Sequence, residues 1–444
     1  MRVRGWPARR LVVHLSADLG VAALLIGLAL VLRLVLPIIF NAPDFTIDFD
    51  FLAQAAVAIA AGHDPYAFKV WTLDVIDVGY AYPPLTAWVL APLVTVLPWR
   101  LAYLVWVLGE MIAFAVSIIL ALRMGCRPVA WNWVTLILGV AFLSFVARDN
   151  FFHGQIDFYL LVLVTVGLVL LSRGREVEAG VLLGIAANGK PFLAILLLYL
   201  AWRFRWRAFL AMGVTGAAVL AVSFLALLSN APVAFESWLG ISHSMGAPPF
   251  IGFSYNLSIY GTLVRLLTPT PFAQSWFESP TALTIASAVL SVIPIAVWLL
   301  FVRPGRSPMP NNVLVIFAES GLLLALMFGV GPVAEANHLL VLVPVMTATL
   351  RLALGSGDSD RRWRWRPAAL AWGLFVIATI GPLKQLTLAT GLVGTPSGLM
   401  VLLTGRIGFM LLAVALATAW SVAREQAAAS ARATVDEMAV VVPR

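Results

Sequence analysis

The sequence predicts an all-α integral membrane protein with about twelve membrane segments, some of them broken or re-entrant. Composition is the first reason: 61% of the 444 residues are hydrophobic and 11% are charged, whereas a soluble domain carries about 25% charged residues. The second reason is that the apolar residues fall in blocks close to the ~20 residues that a helix needs to cross ~30 Å of hydrocarbon. Short arginine clusters separate these blocks, as the positive-inside rule expects of cytoplasmic loops.

The first predicted span covers 19–40 and follows an arginine-rich N-terminus, which indicates an uncleaved span with that terminus in the cytoplasm. The further apolar blocks lie at 84–98, 101–122, 129–147, 156–172, 177–201, 206–229, 281–302, 312–331, 337–354, 367–386 and 398–422. The block 84–98 is short, and Lys190-Pro191 interrupts the block 177–201. Broken helices at membrane depth are tolerated where they line a wet cavity, so the second interruption predicts a functional cavity.

The arginine clusters favour one topology, in which they face the cytoplasm and 41–83, 148–154, 230–280 and about 332–337 lie outside. We therefore expect a single polytopic domain at 1–422, with outer loops at 41–83 and 230–280, and a cytoplasmic tail at 423–444. The net charge of +8 follows from those loops, so nucleic acid is not an expected partner. The lone Cys126 excludes an intramolecular disulfide and a thiolate metal cluster.

Charged residues at bilayer depth are costly, so those that cannot reach the interface are functional candidates. Asp48 and Asp50 follow the first span, and D-x-D carboxylates share a face and hold a divalent cation if the segment is extended. On a helix they would point roughly 200° apart and would not chelate. The alternative is an acidic helix N-terminus, with 50–61 forming a helix at the outer interface.

Lys190 lies within an apolar block beside Asn188 and the helix break. A buried ammonium needs an anion, which is either a phosphate or a structural partner such as Glu110. His153 and Gln155 occupy a predicted outer turn, and Glu335 and His338 share a face at the start of a helix. For both pairs, ordinary polar or structural roles remain open.

In order along the chain, these motifs resemble the polyprenol-phosphate-mannose-dependent α-mannosyltransferase family of multi-spanning enzymes. The resemblance covers about 40–345 and rests on Asp48-Phe49, Gly62-His63-Asp64-Pro65-Tyr66, Tyr82-Pro83-Pro84-Leu85, His153-Gly154-Gln155, Lys190-Pro191, Asn256-Leu257-Ser258 with Arg265, and the Glu335/His338 pair. This chain departs from the family pattern at three places: His153 and Leu257 stand where the family often has Asn and Gln, and Asn337 replaces one histidine of a common pair.

The resemblance implies a GT-C-type architecture and a sugar donor β-linked to a polyprenyl phosphate, with a glycolipid or glycan as acceptor. Asp48 would be the general base of an inverting transfer of a hexose, with mannose as the expected sugar. Lys190, Arg265 or His338 would stabilise the leaving phosphate. The resemblance requires no metal or cofactor. The implied substrate-binding residues are Asp50, Asp64, Tyr66, Tyr82, His153, Gln155, Asn188, Lys190, Asn256, Ser258, Arg265, Glu335 and His338.

The expected location is the bacterial plasma membrane, with the active site at the outer face among membrane lipids. Two alternatives stay open at this point. A polytopic transporter or lipid-sugar flippase would also have many spans and a buried lysine, although no internal repeat is evident. The same fold could instead use another lipid phosphosugar, such as one carrying arabinofuranose or glucose.

Overall fold

The computed structural model describes residues 6–41, 47–73, 76–123, 129–246, 248–252, 256, 258–270, 275, 277–302, 312–331 and 333. Within these residues the protein is predominantly helical, as the sequence predicts. Glu335, His338, the three predicted spans after 331 and the tail at 423–444 lie outside the described residues.

Nine helices cover the first half of the described chain, and most of them coincide with predicted apolar blocks. They are α1 (Trp6–Asn41), α2 (Ile47–Ala60), α3 (Leu85–Val96), α4 (Trp99–Arg123), α5 (Trp131–Leu143), α6 (Phe145–His153), α7 (Asp157–Ser172), α8 (Glu176–Gly189) and α9 (Leu196–Trp202). A 3₁₀ helix at Pro191–Ile195 separates α8 from α9. The predicted interruption at Lys190-Pro191 is therefore confirmed.

Six more helices are described after α9. They are α10 (Trp206–Leu225), α11 (Ala231–Met245), α12 (Pro248–Ile251), α13 (Ile259–Leu267), α14 (Pro280–Phe301) and α15 (Val313–Val330). A short 3₁₀ turn at Leu228–Asn230 precedes α11. Side-chain caps fix two of the starts, because Ser279 accepts from the Ala282 N–H and Asn312 accepts from the Leu314 N–H.

The segments predicted as outer loops contain helices and strands. Segment 41–83 holds α2 and an antiparallel hairpin of β1 (Lys69–Leu73) and β2 (Ile76–Gly79). Residues 148–153, expected in a turn, instead belong to α6, which the break at the half-buried Ser144 sets at 62° to α5. The Ser144 hydroxyl accepts from the Ala147 N–H and thereby caps a new helix, so the chain bends without unwinding.

Four helices among the described residues are long and apolar enough to cross a membrane: Asp18–Pro37, Trp99–Arg123, Trp206–Leu225 and Pro280–Leu300. The bent pair formed by α5 and α6 gives a fifth if it is one span. Shorter apolar helices lie at Leu85–Val96, Asp157–Ser172, Pro191–Trp202 and Val313–Met327. The chain is thus a multi-pass membrane protein by the character of its helices, while the count of twelve stays a prediction.

The candidate site depends on four helices, α4, α7, α8 and α10, that pack against one another in turn. Helix α7 contacts α4 on one side and α8 on the other, and α8 in turn contacts α10. Close approach of α8 and α10 requires glycine, since a Cβ at Gly184 would lie 2.7 Å from the Met212 carbonyl oxygen. This packing holds the end of α8, where Lys190 lies, beside the start of α7.

Candidate active site

A chain of three hydrogen bonds connects the residues that the sequence places far apart. Gln155 Nε2 donates to Asp48 Oδ2 at 2.9 Å, and Lys190 Nζ donates to Gln155 Oε1 at 2.9 Å. Lys190 Nζ also donates to Asp157 Oδ2 at 2.8 Å. The structure therefore brings Asp48, Gln155 and Lys190 together, and it adds Asp157, which we did not identify as a site residue from the sequence.

Helix ends favour the charges of the Lys190–Asp157 ion pair. Asp157 lies in the first turn of α7, and Lys190 follows the last residue of α8. The α7 dipole is positive near the carboxylate, and the α8 dipole is negative near the ammonium. Both side chains are buried, at 0% and 3% exposure. Removing either member of such a pair leaves an uncompensated buried charge.

The direction of the Gln155 amide is fixed by its two neighbours. An ammonium has donors only and a carboxylate has acceptors only, so the amide oxygen must face Lys190 and the amide nitrogen must face Asp48. Gln155 is itself buried. The arrangement stabilises the charged carboxylate of Asp48 and holds one of its oxygens, Oδ2, in place.

A left-handed glycine places the His153-Gly154-Gln155 turn at the end of α6. Gly154 has φ 61° and ψ 44°, and its N–H donates to the Asn150 carbonyl. A Cβ at this position would lie 2.9 Å from the Phe49 Cβ, so both conformation and space require glycine. The Trp106 indole donates to the Gly154 carbonyl at 3.0 Å, and this bond ties the turn to α4.

An aromatic pocket places Asp48. Phe49 is fully buried and contacts the rings of Trp99, Tyr103 and Trp106 at centroid distances of 5.8, 5.2 and 6.4 Å. The neighbouring Asp48 lies in the first turn of α2 and is 25% exposed. Because the segment is helical, Asp48 and the half-buried Asp50 project in different directions and do not form the chelate of an extended D-x-D. The prediction of a helix here is confirmed.

His153 extends the site towards the surface. Its Nδ1 lies 3.4 Å from Asp48 Oδ2, and its Nε2 lies 3.8 Å from Asp149 Oδ1. The three side chains are 20–26% exposed. The site therefore has a buried half, formed by Gln155, Lys190 and Asp157, and a partly exposed half at Asp48 and His153.

Glu110, the structural partner that the sequence suggested for Lys190, is not its ion-pair partner in the structure. Glu110 is buried in α4 but accepts from Asn150 Nδ2 at 3.3 Å, whereas the ion-pair partner of Lys190 is Asp157. Asp157 lies two residues after the His153-Gly154-Gln155 motif, and an acidic side chain at the start of the apolar block 156–172 was the available signal. The ring of Tyr82 also lies 5.7 Å from Lys190 Nζ, within the range of a cation–π contact.

Asp64, Tyr66 and Asn188 have structural contacts around this cluster. Asp64 Oδ1 accepts from the Tyr66 N–H at 3.0 Å, and its Oδ2 accepts from Ser237 at 3.1 Å. The Tyr66 hydroxyl donates to the Tyr82 carbonyl at 2.9 Å, and burial raises the pKa of this phenol well above its usual range. Asn188 Nδ2 donates to the carbonyls of Gly184 and Gly216, which joins α8 to α10.

Asn256, Ser258 and Arg265 form a separate cluster within the predicted outer segment 230–280. Asn256 Oδ1 accepts from the Ser258 N–H, the Ser258 hydroxyl accepts from the Gly261 N–H, and Arg265 donates to the Asn256 carbonyl at 3.1 Å. These bonds join residues no more than nine positions apart. Burial lowers the pKa of Arg265 to about 10, which leaves the guanidinium charged at neutral pH. Glu335 and His338 lie outside the described residues.

Comparisons with known proteins match the chain to a glycosyltransferase family and to two mannosyltransferases. The family model "Glycosyltransferase family 87" matches residues 80–329, more than half of the chain. A Mycolicibacterium smegmatis protein named polyprenol-phosphate-mannose-dependent alpha-(1-2)-phosphatidylinositol pentamannoside mannosyltransferase is 31% identical over 192 residues, which cover 42% of this chain and 44% of the relative.

A Mycobacterium tuberculosis protein of the same name is 28% identical over 306 residues, covering 68% of this chain and 64% of the relative. The chain thus aligns with less than two thirds of the length of either relative. No solved structure matches the chain.

Proposed function

The chain belongs to glycosyltransferase family 87, and from that premise we propose that it transfers mannose from a polyprenyl-phosphate sugar to a glycolipid or glycan acceptor. The printed names of both relatives state dependence on polyprenol-phosphate-mannose. The observation that carries the proposal is the contact of the partly exposed Asp48 carboxylate. Its Oδ2 accepts from the Gln155 amide, whose oxygen accepts from the buried Lys190 ammonium. This is an arrangement suited to a general base that must stay ionised and oriented.

The proposed role of Asp48 depends on how its two oxygens are used. Oδ2 accepts from Gln155 and lies near His153, while Oδ1 has no hydrogen bond to any described residue. Oδ1 is therefore the oxygen that would accept the proton of an acceptor hydroxyl. As that proton moves to Asp48, the hydroxyl oxygen bonds to the anomeric carbon and the sugar–phosphate bond breaks with its electron pair on the phosphate. Inversion of a β-linked donor gives an α-glycoside.

The leaving phosphate gains charge in this step, so a cation near it would lower the barrier. Of the cations considered, Lys190 already donates to Gln155 and Asp157, which supports a role in positioning Asp48. Arg265 is 4% exposed in the outer segment and stays charged at neutral pH, which supports a role with the phosphate. The outer membrane face is proposed on the distribution of arginine clusters alone.

A donor panel tests this function. Purified protein would be incubated with labelled polyprenyl-phosphate-mannose, -glucose or -arabinofuranose and a lipid extract of its own host, and labelled glycolipid would be counted. We expect transfer of mannose and little of the other two. Transfer only from the glucose or arabinofuranose donor would reject mannose as the transferred sugar. It would leave the proposed fold and the proposed role of Asp48 unchanged.

A flippase is the alternative that the broken helix and buried lysine leave open. In proteoliposomes, the glycosyltransferase should consume the labelled lipid without moving it between leaflets. Translocation of intact polyprenyl-phosphate-mannose, with no transfer to any acceptor, would reject the enzymatic proposal.

A further inference from the structure

The contacts of His153 differ from those of an ordinary histidine at a helix end. Nδ1 has no hydrogen-bond partner among the described residues, although it lies 3.4 Å from Asp48 Oδ2. Nε2 on the other side of the ring lies 3.8 Å from Asp149 Oδ1. The imidazole therefore stands between the proposed base and a second carboxylate, and all three side chains reach the surface in part.

We propose that His153, assisted by Asp149, removes the proton that Asp48 collects in each turnover and passes it to solvent. This inference rests on the proposed function, because it needs a step that protonates Asp48. Imidazole is the side chain that gains and loses protons readily near neutral pH. His153 acts through Asp48 and is not required to contact the sugar.

The neighbours behind Asp48 cannot take this proton. A glutamine amide does not accept a proton near neutral pH, and the Lys190 ammonium is already protonated in its pair with Asp157. Proton exit through the buried half would also break that pair. Exit through His153 breaks no ion pair of the buried half, and the ring is 26% exposed.

The proton balance is simple. An acceptor hydroxyl gives one proton to Asp48 as its oxygen bonds to the anomeric carbon and the polyprenyl phosphate leaves. The neutral carboxyl of Asp48 then turns about its Cβ–Cγ bond, so that the protonated oxygen faces His153 Nδ1 and the other oxygen accepts from Gln155. His153 takes the proton on Nδ1, and the imidazolium releases one proton from Nε2 to water, with Asp149 stabilising the cation. Asp48 returns as a carboxylate, and proton exchange with water restores the Nε2–H tautomer of neutral His153, so water is the one further reactant.

The charged groups around His153 belong to α6 and to the elements near it. They are Asp48 and Asp50 of α2, Arg148 and Asp149 of α6, Glu110 of α4, Asp157 of α7, Lys190 after α8, and the exposed Arg33 of α1. Of these groups, Asp48 and Asp149 make the ion-pair contacts with the ring, at 3.4 and 3.8 Å.

The test compares His153→Asn with His243→Asn. His243 is an exposed histidine on α11 and serves as the control. Asparagine retains a polar side chain but cannot carry the proton. Transfer from labelled polyprenyl-phosphate-mannose would be measured between pH 5 and 9 on protein that elutes as a folded species. We expect His153→Asn to lower kcat about tenfold with little change in KM and to flatten the pH profile. His243→Asn should match the wild type.

Chemical rescue separates a proton relay from a packing role. Adding imidazole to His153→Ala should restore part of the lost rate, whereas a ring that only fills space would give no rate dependent on imidazole. A wild-type rate and pH profile in His153→Asn would overturn the relay, as would a slow His153→Ala that imidazole does not rescue. Absence of transfer by the wild type itself would instead reject the proposed function, and the relay with it.

Discussion

Two polar clusters among the described residues, one around Asp48 and one around Arg265, are assembled in different ways. The cluster around Asp48 joins residues 107, 35 and 33 positions apart, from the starts of α2 and α7 and the ends of α6 and α8. The hydrogen bonds described around Arg265 join residues no more than nine positions apart, within one short helix and the turn before it. The first depends on the packing of the whole helical core, whereas the second is a local capping arrangement. Substitutions should therefore have larger effects in the first.

Lys190→Met should give the largest loss of stability in this comparison. It leaves Asp157 buried without its partner, which costs about 3–5 kcal/mol, and it releases the Gln155 amide. Thermal unfolding in detergent and the mannose-transfer rate would both be measured. Arg175→Met is the matched control, because the Arg175–Glu178 pair is 58% and 48% exposed and breaking it should cost less than about 1 kcal/mol.

A double variant sharpens this test. Adding Asp157→Leu to Lys190→Met replaces the ion pair with apolar side chains and should recover much of the stability. The transfer rate should stay low, since nothing then fixes the Gln155 amide. Recovery of both stability and rate would show that the buried pair does not position Asp48.

Gly154→Ala should be the next most damaging. The left-handed conformation and the approach of Phe49 to within 2.9 Å of the new Cβ together cost about 2–3 kcal/mol. Gly213→Ala on α10, where nothing lies within 4 Å, is the control and should be neutral or slightly stabilising. A Gly154→Ala protein as stable as this control would contradict the tight turn described for α6.

Tyr66→Phe should have a moderate effect that depends on pH. Losing the hydroxyl leaves the Tyr82 carbonyl without its donor, at a cost of about 1.5 kcal/mol near neutral pH. Because burial raises the pKa of Tyr66, the folded state disfavours ionisation. The wild type should lose stability as the pH rises above about 10, where the unfolded phenol ionises. This decline should be shallower in Tyr66→Phe, and an identical decline would contradict the assignment to Tyr66.

Ser258→Ala should have the smallest effect of the series. Ser258 caps α13 by accepting from the Gly261 N–H, and losing such a cap costs about 1 kcal/mol. Any loss of transfer should follow the loss of folded protein. Ser287→Ala on α14 is the control, since the hydroxyl of this half-buried serine donates to the Thr284 carbonyl of its own helix. A fully folded Ser258→Ala without activity would assign this hydroxyl to substrate binding and place the local cluster within the site.

Local sequence signals predicted the helices and the break well, because hydrophobic blocks and Lys190-Pro191 act within a few residues. They also named Asp48, Gln155 and Lys190. They did not predict that Lys190 pairs with Asp157 in place of Glu110, because that choice depends on how α7 packs against α8. The helix at 145–153 was also missed: its few apolar residues and its polar middle resemble a turn until Ser144 and Gly154 are recognised as caps.

The most direct measurement is the rate of mannose transfer from labelled polyprenyl-phosphate-mannose by purified Asp48→Asn, with Asp18→Asn, an exposed aspartate of α1, as the control. The substitution keeps an oxygen that can accept from Gln155 but removes the base. We predict a folded protein whose rate falls by about 10²–10⁴, while the control keeps the wild-type rate. A wild-type rate in Asp48→Asn would contradict the assignment of Asp48 as the general base.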